Sequence, residues 1–250
     1  MLHTGLLRPS RNSATDAGAP DWPSTFATLA DQARDARLKK YYAAGTIAPN
    51  TPLSQTPMMA LDVETTGLDP AVDGIVSIGL VPMQLDRIRT SGSRHWILKP
   101  RAALGAESVT IHGITDTQIQ HAPDLDDILA DVLDAIAGQV LVVHCRDIER
   151  RFLDAALHTR IGEGLQFPVI DTMELEARMH RGHKPGLVDR VLGRKPPWVS
   201  IRLGDSRKRY ALPRYQPHHA MTDALASAEL LLAQVAHHYA PDTPVRELWQ

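Results

Sequence analysis

Apolar residues along the chain fall into short blocks that predict a mixed sheet. Residues 58–64, 75–83 and 94–98 have the length and apolar content of strands, and short turns separate them. Short connections of this kind favour an antiparallel meander. Two later apolar blocks, 140–143 and 168–170, predict further strands that alternate with helical segments. Three meander strands followed by alternating helices and strands predict an α/β domain in which helices cover a mixed sheet.

Helical patterns occur before and after the first three strands. Ser24 is the expected N-cap of a helix that continues to residue 44, where Gly45 ends it. Three prolines within 46–57 predict a linker. Further helices are expected over 124–137, 148–158, 171–180 and 220–239. The predicted organisation is a flexible N-terminus (1–23), a helix and linker (24–57), a folded domain (58–240) and a short tail (241–250).

The composition is that of a globular protein of ordinary size. Of 250 residues, 43% are hydrophobic and 22% are charged, and no apolar run reaches the length of a membrane span. The first 23 residues lack the continuous apolar core of a secretion signal. These features predict a cytoplasmic protein with no membrane partner. Cys145 is the only cysteine, so an intramolecular disulfide is excluded.

The net charge of −2 hides an uneven distribution of charge. Residues 184–214 contain nine basic side chains and two acidic ones. A local surplus of this size can bind phosphate groups even though the whole chain is nearly neutral. A solvated helix face without a partner would have the same composition. The stretch is therefore a candidate contact for nucleic acid only if other residues supply the chemistry.

Two acids, Asp62 and Glu64, stand two residues apart at the end of the first predicted strand. Successive side chains of a strand point to opposite faces, so these carboxylates share one face and can converge on one hard cation. A turn containing Gly67 follows at once, and its backbone can approach a ligand closely. The pattern predicts a metal site, although an Asp-x-Glu sequence alone also occurs by chance.

A second polar group lies at the start of the last predicted helix, where His218 precedes Asp223 by five residues. An aspartate on a helix is held in place and can bind a metal, whereas a histidine in the preceding loop can approach the attacking water. A histidine with the ordinary pKa of about 6.5 can accept a proton near neutral pH. Each residue also has a simpler reading, Asp223 as a partner of the helix dipole and His218 as a surface residue.

The order of these groups resembles the DEDD superfamily of 3′-to-5′ exonucleases, in its histidine-bearing subgroup, which includes the proofreading epsilon subunit of DNA polymerase III. The shared pattern is a strand with Asp-x-Glu, an acid on the helix after a later strand, and His-x-x-x-x-Asp. Smaller signatures agree, namely the runs 64–68 and 111–115 and the pair Asp171-Thr172. The resemblance covers about 58–236 and implies a ribonuclease-H-like fold with a central five-stranded mixed sheet.

The resemblance also implies two divalent cations, Mg²⁺ or Mn²⁺, and assigns roles by position. It implies that Asp62, Glu64 and Asp223 are metal ligands and catalytic residues, and that His218 is the general base. The residues that it places around the terminal nucleotide are Thr65, Thr66, Gly67, Leu68 and His112.

Two positions depart from the family pattern. Aligned on Phe152-Leu153, the second-motif acid falls at Glu149, where the family has aspartate. Glutamate keeps the charge and adds one methylene, so it can hold the second cation at an altered distance. Asp147 is the competing candidate because it is the preferred residue type, but its offset from Phe152 does not match. Cys145 replaces the usual asparagine and is expected to pack or contact the backbone, not to act as a nucleophile.

The implied activity is hydrolysis of phosphodiester bonds from the 3′ end of single-stranded DNA, releasing nucleoside monophosphates in replication proofreading or repair. A DNA polymerase is a candidate partner, and the basic stretch would hold phosphates without reading bases. Two alternatives stay open. One is an RNA-trimming enzyme of the same superfamily, because the sequence does not show how the pocket treats a 2′-hydroxyl. The other is a catalytically weak module that only binds nucleic-acid ends.

Overall fold

A computed structural model describes residues 20–102, 113–181 and 199–250. These ranges contain six strands of one sheet, β1 Met58–Thr65, β2 Ile75–Gln84, β3 Arg87–Ile88, β4 Arg94–Ile97, β5 Val140–Val143 and β6 Val169–Asp171. Strand β1 is antiparallel to β2 and parallel to β5, which is parallel to β6. Both β3 and β4 pair with β2 in antiparallel fashion. The predicted mixed sheet is confirmed, and β3 is an addition that is too short to leave a hydrophobic pattern.

The helices within the described ranges are α1 Trp22–Gln32, α2 Ala36–Ala43, α3 Asp116–Gln120, α4 Leu125–Ile136, α5 Arg146–Ile161, α6 Thr172–Arg181, α7 Leu203–Arg209 and α8 Ala220–His238. Helix α8 packs against β1, β2 and β5. The apolar side chains of these three strands are almost completely buried, which places the hydrophobic core along the centre of the sheet. None of the described helices has the length and hydropathy needed to cross a membrane.

Helix α4 illustrates how local sequence signals fix an element. The Asp124 carboxylate accepts a hydrogen bond from the backbone of Asp126, and Asp127 reaches back to the backbone of Asp124, which completes a capping box. Gly138, with a φ of +69°, follows the helix. Because both end signals lie in the local sequence, the observed bounds agree with the predicted ones.

The N-terminal segment differs from its prediction, because the single helix expected over 24–44 is two helices. Helix α1 ends before Ala33, and Asp35 caps α2 by accepting a hydrogen bond from the backbone of Arg37. The Glu163 carboxylate accepts hydrogen bonds of 2.8 and 2.7 Å from the backbone N–H groups of Arg34 and Asp35. A carboxylate that is remote in sequence thus stabilises the break between the helices. Short-range helix signals contain no trace of it.

Both ends of the described chain pack onto the domain. Trp22, Phe26, Tyr41 and Tyr42 form a buried aromatic cluster between α1 and α2. The backbone of Gln250 exchanges hydrogen bonds with that of Val169, so the segment after 240 covers the outer edge of β6. The segments expected to be a linker and a tail are therefore hydrogen-bonded parts of the folded unit. The domain boundaries at residues 57 and 240 stay a prediction.

Candidate active site

Three carboxylates meet at one end of the sheet. Asp62 and Glu64 extend from β1, and Asp223 extends from the first turn of α8. Each of the three can offer an oxygen atom within 4.8 Å of the others. This arrangement brings together residues that are about 160 positions apart in the sequence. Clustered carboxylate oxygens are the ligands that Mg²⁺ and Mn²⁺ prefer.

Helix α8 approaches the sheet closely because β2 carries a glycine at the point of contact. A Cβ atom on Gly79 would overlap the backbone of Ala220 and Met221. Gly79 pairs with Asp62 in the β1–β2 ladder, so the gap lies beside the carboxylate cluster. Sequence reasoning missed this residue. A glycine inside an otherwise apolar strand is the signal that could have identified it, since it marks a close backbone approach.

The three carboxylates lie in a site that disfavours their charged forms. Burial and the nearby Asp223 raise the pKa of Glu64 to about 8. Burial, followed by the charges of Asp223, Glu64 and Glu149, raises the pKa of Asp62 well above its usual range. Burial also raises the pKa of Asp223. Since desolvated acids repel each other when ionised, a bound divalent cation is the natural compensation.

Two buried oxygen atoms fit a metal centre in the same way. Asp223 Oδ1 and Glu149 Oε2 are buried and have no hydrogen-bond partner among the described residues. Buried polar atoms are nearly always paired, so an orphaned carboxylate oxygen indicates a ligand that the protein itself does not supply. The donor set is composed of carboxylates, which suits a hard cation.

The structure separates the two candidates for the fourth acid. Glu149 lies in the first turn of α5 with only 2% of its surface exposed, and its charge raises the pKa of Asp62. Burial raises the pKa of Glu149 itself well above the usual value. Asp147 is exposed to solvent. The geometry thus favours Glu149 over Asp147 as the acid that faces the cluster.

Helix α5 begins at a junction that Asp171 organises. The Asp171 carboxylate accepts hydrogen bonds from the backbone of Cys145 (3.0 Å), Arg146 (3.1 Å) and Met173 (2.9 Å). Cys145 has a φ of +94°, a left-handed conformation in which asparagine is better tolerated than most residues. Burial raises the pKa of the Cys145 thiol to about 12, which supports a packing role because the thiolate is the reactive form. Sequence reasoning noted Asp171 only as a signature, and its capping of this junction is new.

His218 lies where the loop before α8 meets the carboxylates. Its backbone N–H donates a hydrogen bond of 2.8 Å to Asp223 Oδ2, and its side chain is exposed. The φ of His218 is +69°, which is uncommon for a residue with a side chain. The Tyr215 hydroxyl approaches the Asp223 carboxylate and, as a hydrogen-bond donor, lowers its pKa. Tyr215 is a second residue that the sequence patterns did not single out.

A cleft of about 750 Å³ opens on the side of His218 away from the strands. One wall contains Cys145, Ile148 and Met173, and the other is formed by α7 and the loop that follows it. The basic residues on this wall are Arg202, Arg207, Lys208 and Arg214. They belong to the basic stretch predicted over 184–214, of which residues 184–198 lie outside the described residues. Part of the predicted phosphate-binding stretch therefore borders the carboxylate site.

The loop after β1 is closed on itself by hydrogen bonds. Thr65 Oγ1 donates to the carbonyl of Gly67 (2.6 Å), and Thr66 Oγ1 donates to Asp73 Oδ1 (3.0 Å). A Cβ atom on Gly67 would overlap the Asp73 carboxylate, so this turn requires glycine. Leu68, 36% exposed, is among the few exposed large apolar side chains of the described ranges. These contacts hold the predicted nucleotide-binding segment in one shape. His112, the remaining predicted contact, lies outside the described residues.

Comparison with known proteins agrees with this site. Residues 59–231 match the RNase_T family, described as exonuclease. The epsilon subunit of DNA polymerase III from Treponema pallidum is 30% identical over 179 residues, covering 72% of this chain and 76% of that protein. The PolC-type DNA polymerase III from Thermotoga petrophila is 27% identical over 70% of this chain. The chain spans only about a tenth of the length of such PolC-type relatives, 11% in this case.

Among solved structures, the nuclease domain of 3′hExo, a DEDDh family member bound to rAMP, superposes with a TM-score of 0.60. That match covers 73% of this chain and 92% of the other, with 14% identity, and it shows a shared fold. The ribonuclease-H-like fold is thereby confirmed. The chain belongs to the exonuclease family, in the histidine-bearing branch of the DEDD superfamily to which the epsilon subunit of DNA polymerase III is related.

Proposed function

We propose that this protein is a metal-dependent 3′-to-5′ exonuclease that removes nucleoside monophosphates from the 3′ ends of single-stranded DNA. The observation that carries the proposal is the cluster of Asp62, Glu64 and Asp223, whose ligand oxygens lie within 4.8 Å of one another. The orphaned oxygen of Glu149 supports a fourth carboxylate in the same centre. Four carboxylates are enough to hold two divalent cations, Mg²⁺ or Mn²⁺.

Each group of the chain has a defined task in this reaction. When bound, divalent cations would polarise the scissile phosphate and stabilise charge on the attacking and leaving oxygens. The exposed imidazole of His218 can reach solvent and accept the proton of the attacking water. Its backbone bond to Asp223 keeps the proton acceptor beside a metal ligand. Asp62 and Glu64, fixed on a central strand, hold the position of the reacting phosphate relative to His218.

The substrate strand is proposed to enter through the cleft beside His218. Arg202, Lys208 and Arg214 would contact its phosphates, which gives affinity without base recognition. The terminal nucleotide would meet the closed loop that contains Thr65, Thr66, Gly67 and Leu68, together with His112. The exposed face of Leu68 suits contact with a base.

Single-stranded DNA is proposed as the substrate because the sequence relatives are DNA polymerase III proteins. A role in proofreading or repair, a cytoplasmic location and a polymerase partner follow from the same relatives and are part of the proposal. The second candidate is an exonuclease that trims RNA, since the structural neighbour 3′hExo was solved with rAMP.

Matched DNA and RNA oligonucleotides with a 5′ label test the polarity, the sugar preference and the metal requirement together. We expect a ladder of shortened 5′-labelled DNA products with Mg²⁺ or Mn²⁺, and intact strands with EDTA. The same ladder on RNA alone would replace the proposal with the RNA-trimming candidate. Protein that binds the strands but leaves them intact with either cation would show a module that only binds ends.

A further inference from the structure

A buried arginine joins three segments next to the carboxylate site. The Arg207 side chain, on α7, is only 3% exposed. Its guanidinium donates hydrogen bonds to the carbonyls of Ala226 (2.8 Å) on α8 and Pro213 (3.0 Å) in the loop. It also forms an ion pair of 2.7 Å with Glu229 on α8. Since a guanidinium has a rigid fork of donors, it fixes these groups at set distances.

The same guanidinium supports the ring of Tyr215. Arg207 Cζ lies 4.9 Å from the centre of that ring, a cation–π geometry. The hydroxyl on the far end of the ring approaches the Asp223 carboxylate. A continuous path of contacts therefore runs from α7 through Arg207 and Tyr215 to Asp223.

The loop that this path crosses is held in an unusual backbone conformation. Ala211 at its start and His218 at its end have φ values of +53° and +69°. Such conformations cost free energy for residues with a Cβ, so they persist only where surrounding contacts impose them. Within the loop, Arg207 binds the Pro213 carbonyl and Tyr215, and Asp223 binds the His218 backbone. These contacts are the ones that can impose the conformation.

We propose that Arg207 and Tyr215 are positioning residues that orient the Asp223 carboxylate and keep His218 in its left-handed conformation. The proposal rests on the proposed function, because it assigns to this pair the alignment of the metal ligand and the proton acceptor. Neither residue is required to touch the reacting atoms. Removal of residues that orient a metal ligand typically costs about 10- to 100-fold in metal affinity or activity.

Tyr215→Phe tests the proposal, because it keeps the ring on Arg207 and removes only the hydroxyl. We expect kcat to fall about tenfold, with KM for a single-stranded oligonucleotide unchanged within about twofold. Mn²⁺ affinity, measured by electron paramagnetic resonance of the free ion, should fall as well. Arg207→Lys should give a larger loss, since it removes the fork that holds Pro213 and Tyr215.

Tyr210→Phe is the matched control, since it deletes a hydroxyl that contacts Met179 and His238 instead of the site. It should leave kcat and Mn²⁺ affinity at wild-type values while changing the melting temperature by a similar small amount. Hydrogen exchange of the amides of 213–219 supplies a readout that needs no catalysis. Exchange should be faster in Tyr215→Phe than in Tyr210→Phe.

The outcomes separate this proposal from the proposed function. Wild-type kcat, Mn²⁺ affinity and exchange in Tyr215→Phe would overturn the positioning role, and so would equal losses in Tyr210→Phe. If wild-type protein degrades no strand, the proposed function fails. Mn²⁺ affinity and amide exchange would still support or overturn the alignment of Asp223 by Tyr215.

Discussion

Gly79 lies directly opposite Asp62 in the antiparallel ladder between β1 and β2. The pairing places the residue with no side chain next to the first carboxylate of the site. The first turn of α8 occupies the space where a Cβ would otherwise be. Asp223 is three residues further along this helix, so the absence of a side chain at Gly79 sets how closely Asp223 approaches Asp62.

Gly79→Ala should therefore damage activity more than stability. The added methyl group must displace the backbone of Ala220 and Met221, and overpacking of this kind costs about 1–3 kcal/mol. Because the carboxylates need a defined spacing to share a cation, we expect a loss of kcat that exceeds the loss of folded protein. Urea unfolding and oligonucleotide degradation measure the two effects.

Gly204→Ala is the control for this prediction. Gly204 lies in α7, and a Cβ there would meet nothing within 4 Å in the described parts of the chain. Alanine is favoured over glycine in a helix by up to about 1 kcal/mol, so stability should be equal or higher. A Gly79→Ala protein with wild-type kcat would show that the close approach of α8 does not set the site.

Asp62→Asn should remove nuclease activity without unfolding the protein. Burial and neighbouring acids already raise the pKa of Asp62, so the neutral isostere relieves repulsion in the metal-free protein. We expect an unchanged or higher melting temperature in EDTA, and a loss of kcat of about 10²-fold or more. Asp86→Asn, at an exposed acid, should leave both quantities unchanged. Retained turnover in Asp62→Asn would argue against a catalytic cation at this carboxylate.

The acid on α5 can be identified by comparing two neighbouring residues. Glu149→Ala should abolish most activity, because the buried carboxylate faces Asp62. Asp147→Ala should have little effect, since this side chain is exposed. Glu149→Asp should keep or raise activity, because it restores the residue type of the family. Measurements of kcat at saturating Mn²⁺ rank the three variants, and full turnover in Glu149→Ala would exclude it as a ligand.

Elements with local signals were predictable from the sequence. Strand β5 is a continuous apolar run, and α4 has both of its end signals in the adjacent residues. The pairing of Asp62 with Glu64 on one strand face needed only the period of a strand. Their convergence with Asp223 was inferred from the family resemblance, because no local pattern connects β1 with α8.

Features that depend on distant contacts were missed. The break between α1 and α2 is stabilised by Glu163, more than 120 positions away in the sequence. Helix α7 lies within a basic segment whose sequence gives a weak amphipathic pattern, and Arg207 is buried only because α8 supplies its acceptors. A charged residue in a basic stretch was read as a phosphate contact, yet in the fold it forms internal contacts.

Stability of the metal-free protein should fall as pH rises from 6.5 to 8.5. Burial and Asp223 raise the pKa of Glu64 from 4.5 to about 8, so the folded state holds a proton that the unfolded state releases. Where the folded state binds more protons, the free energy of unfolding decreases with increasing pH. His144 has the opposite effect, because burial lowers its pKa to about 4, but that contribution is complete by pH 6.5.

A divalent cation should reverse this dependence, because it replaces the protons on the carboxylates. The rise in melting temperature on adding Mn²⁺ should therefore be larger at pH 8.5 than at pH 6.5, as measured by differential scanning fluorimetry. Glu64→Gln should flatten the pH dependence in EDTA and reduce the response to Mn²⁺, whereas Asp86→Asn should change neither. Equal Mn²⁺ responses at both pH values would mean that protons and the cation do not compete for the same carboxylates. The raised pKa of Glu64 would then have to be unrelated to metal binding.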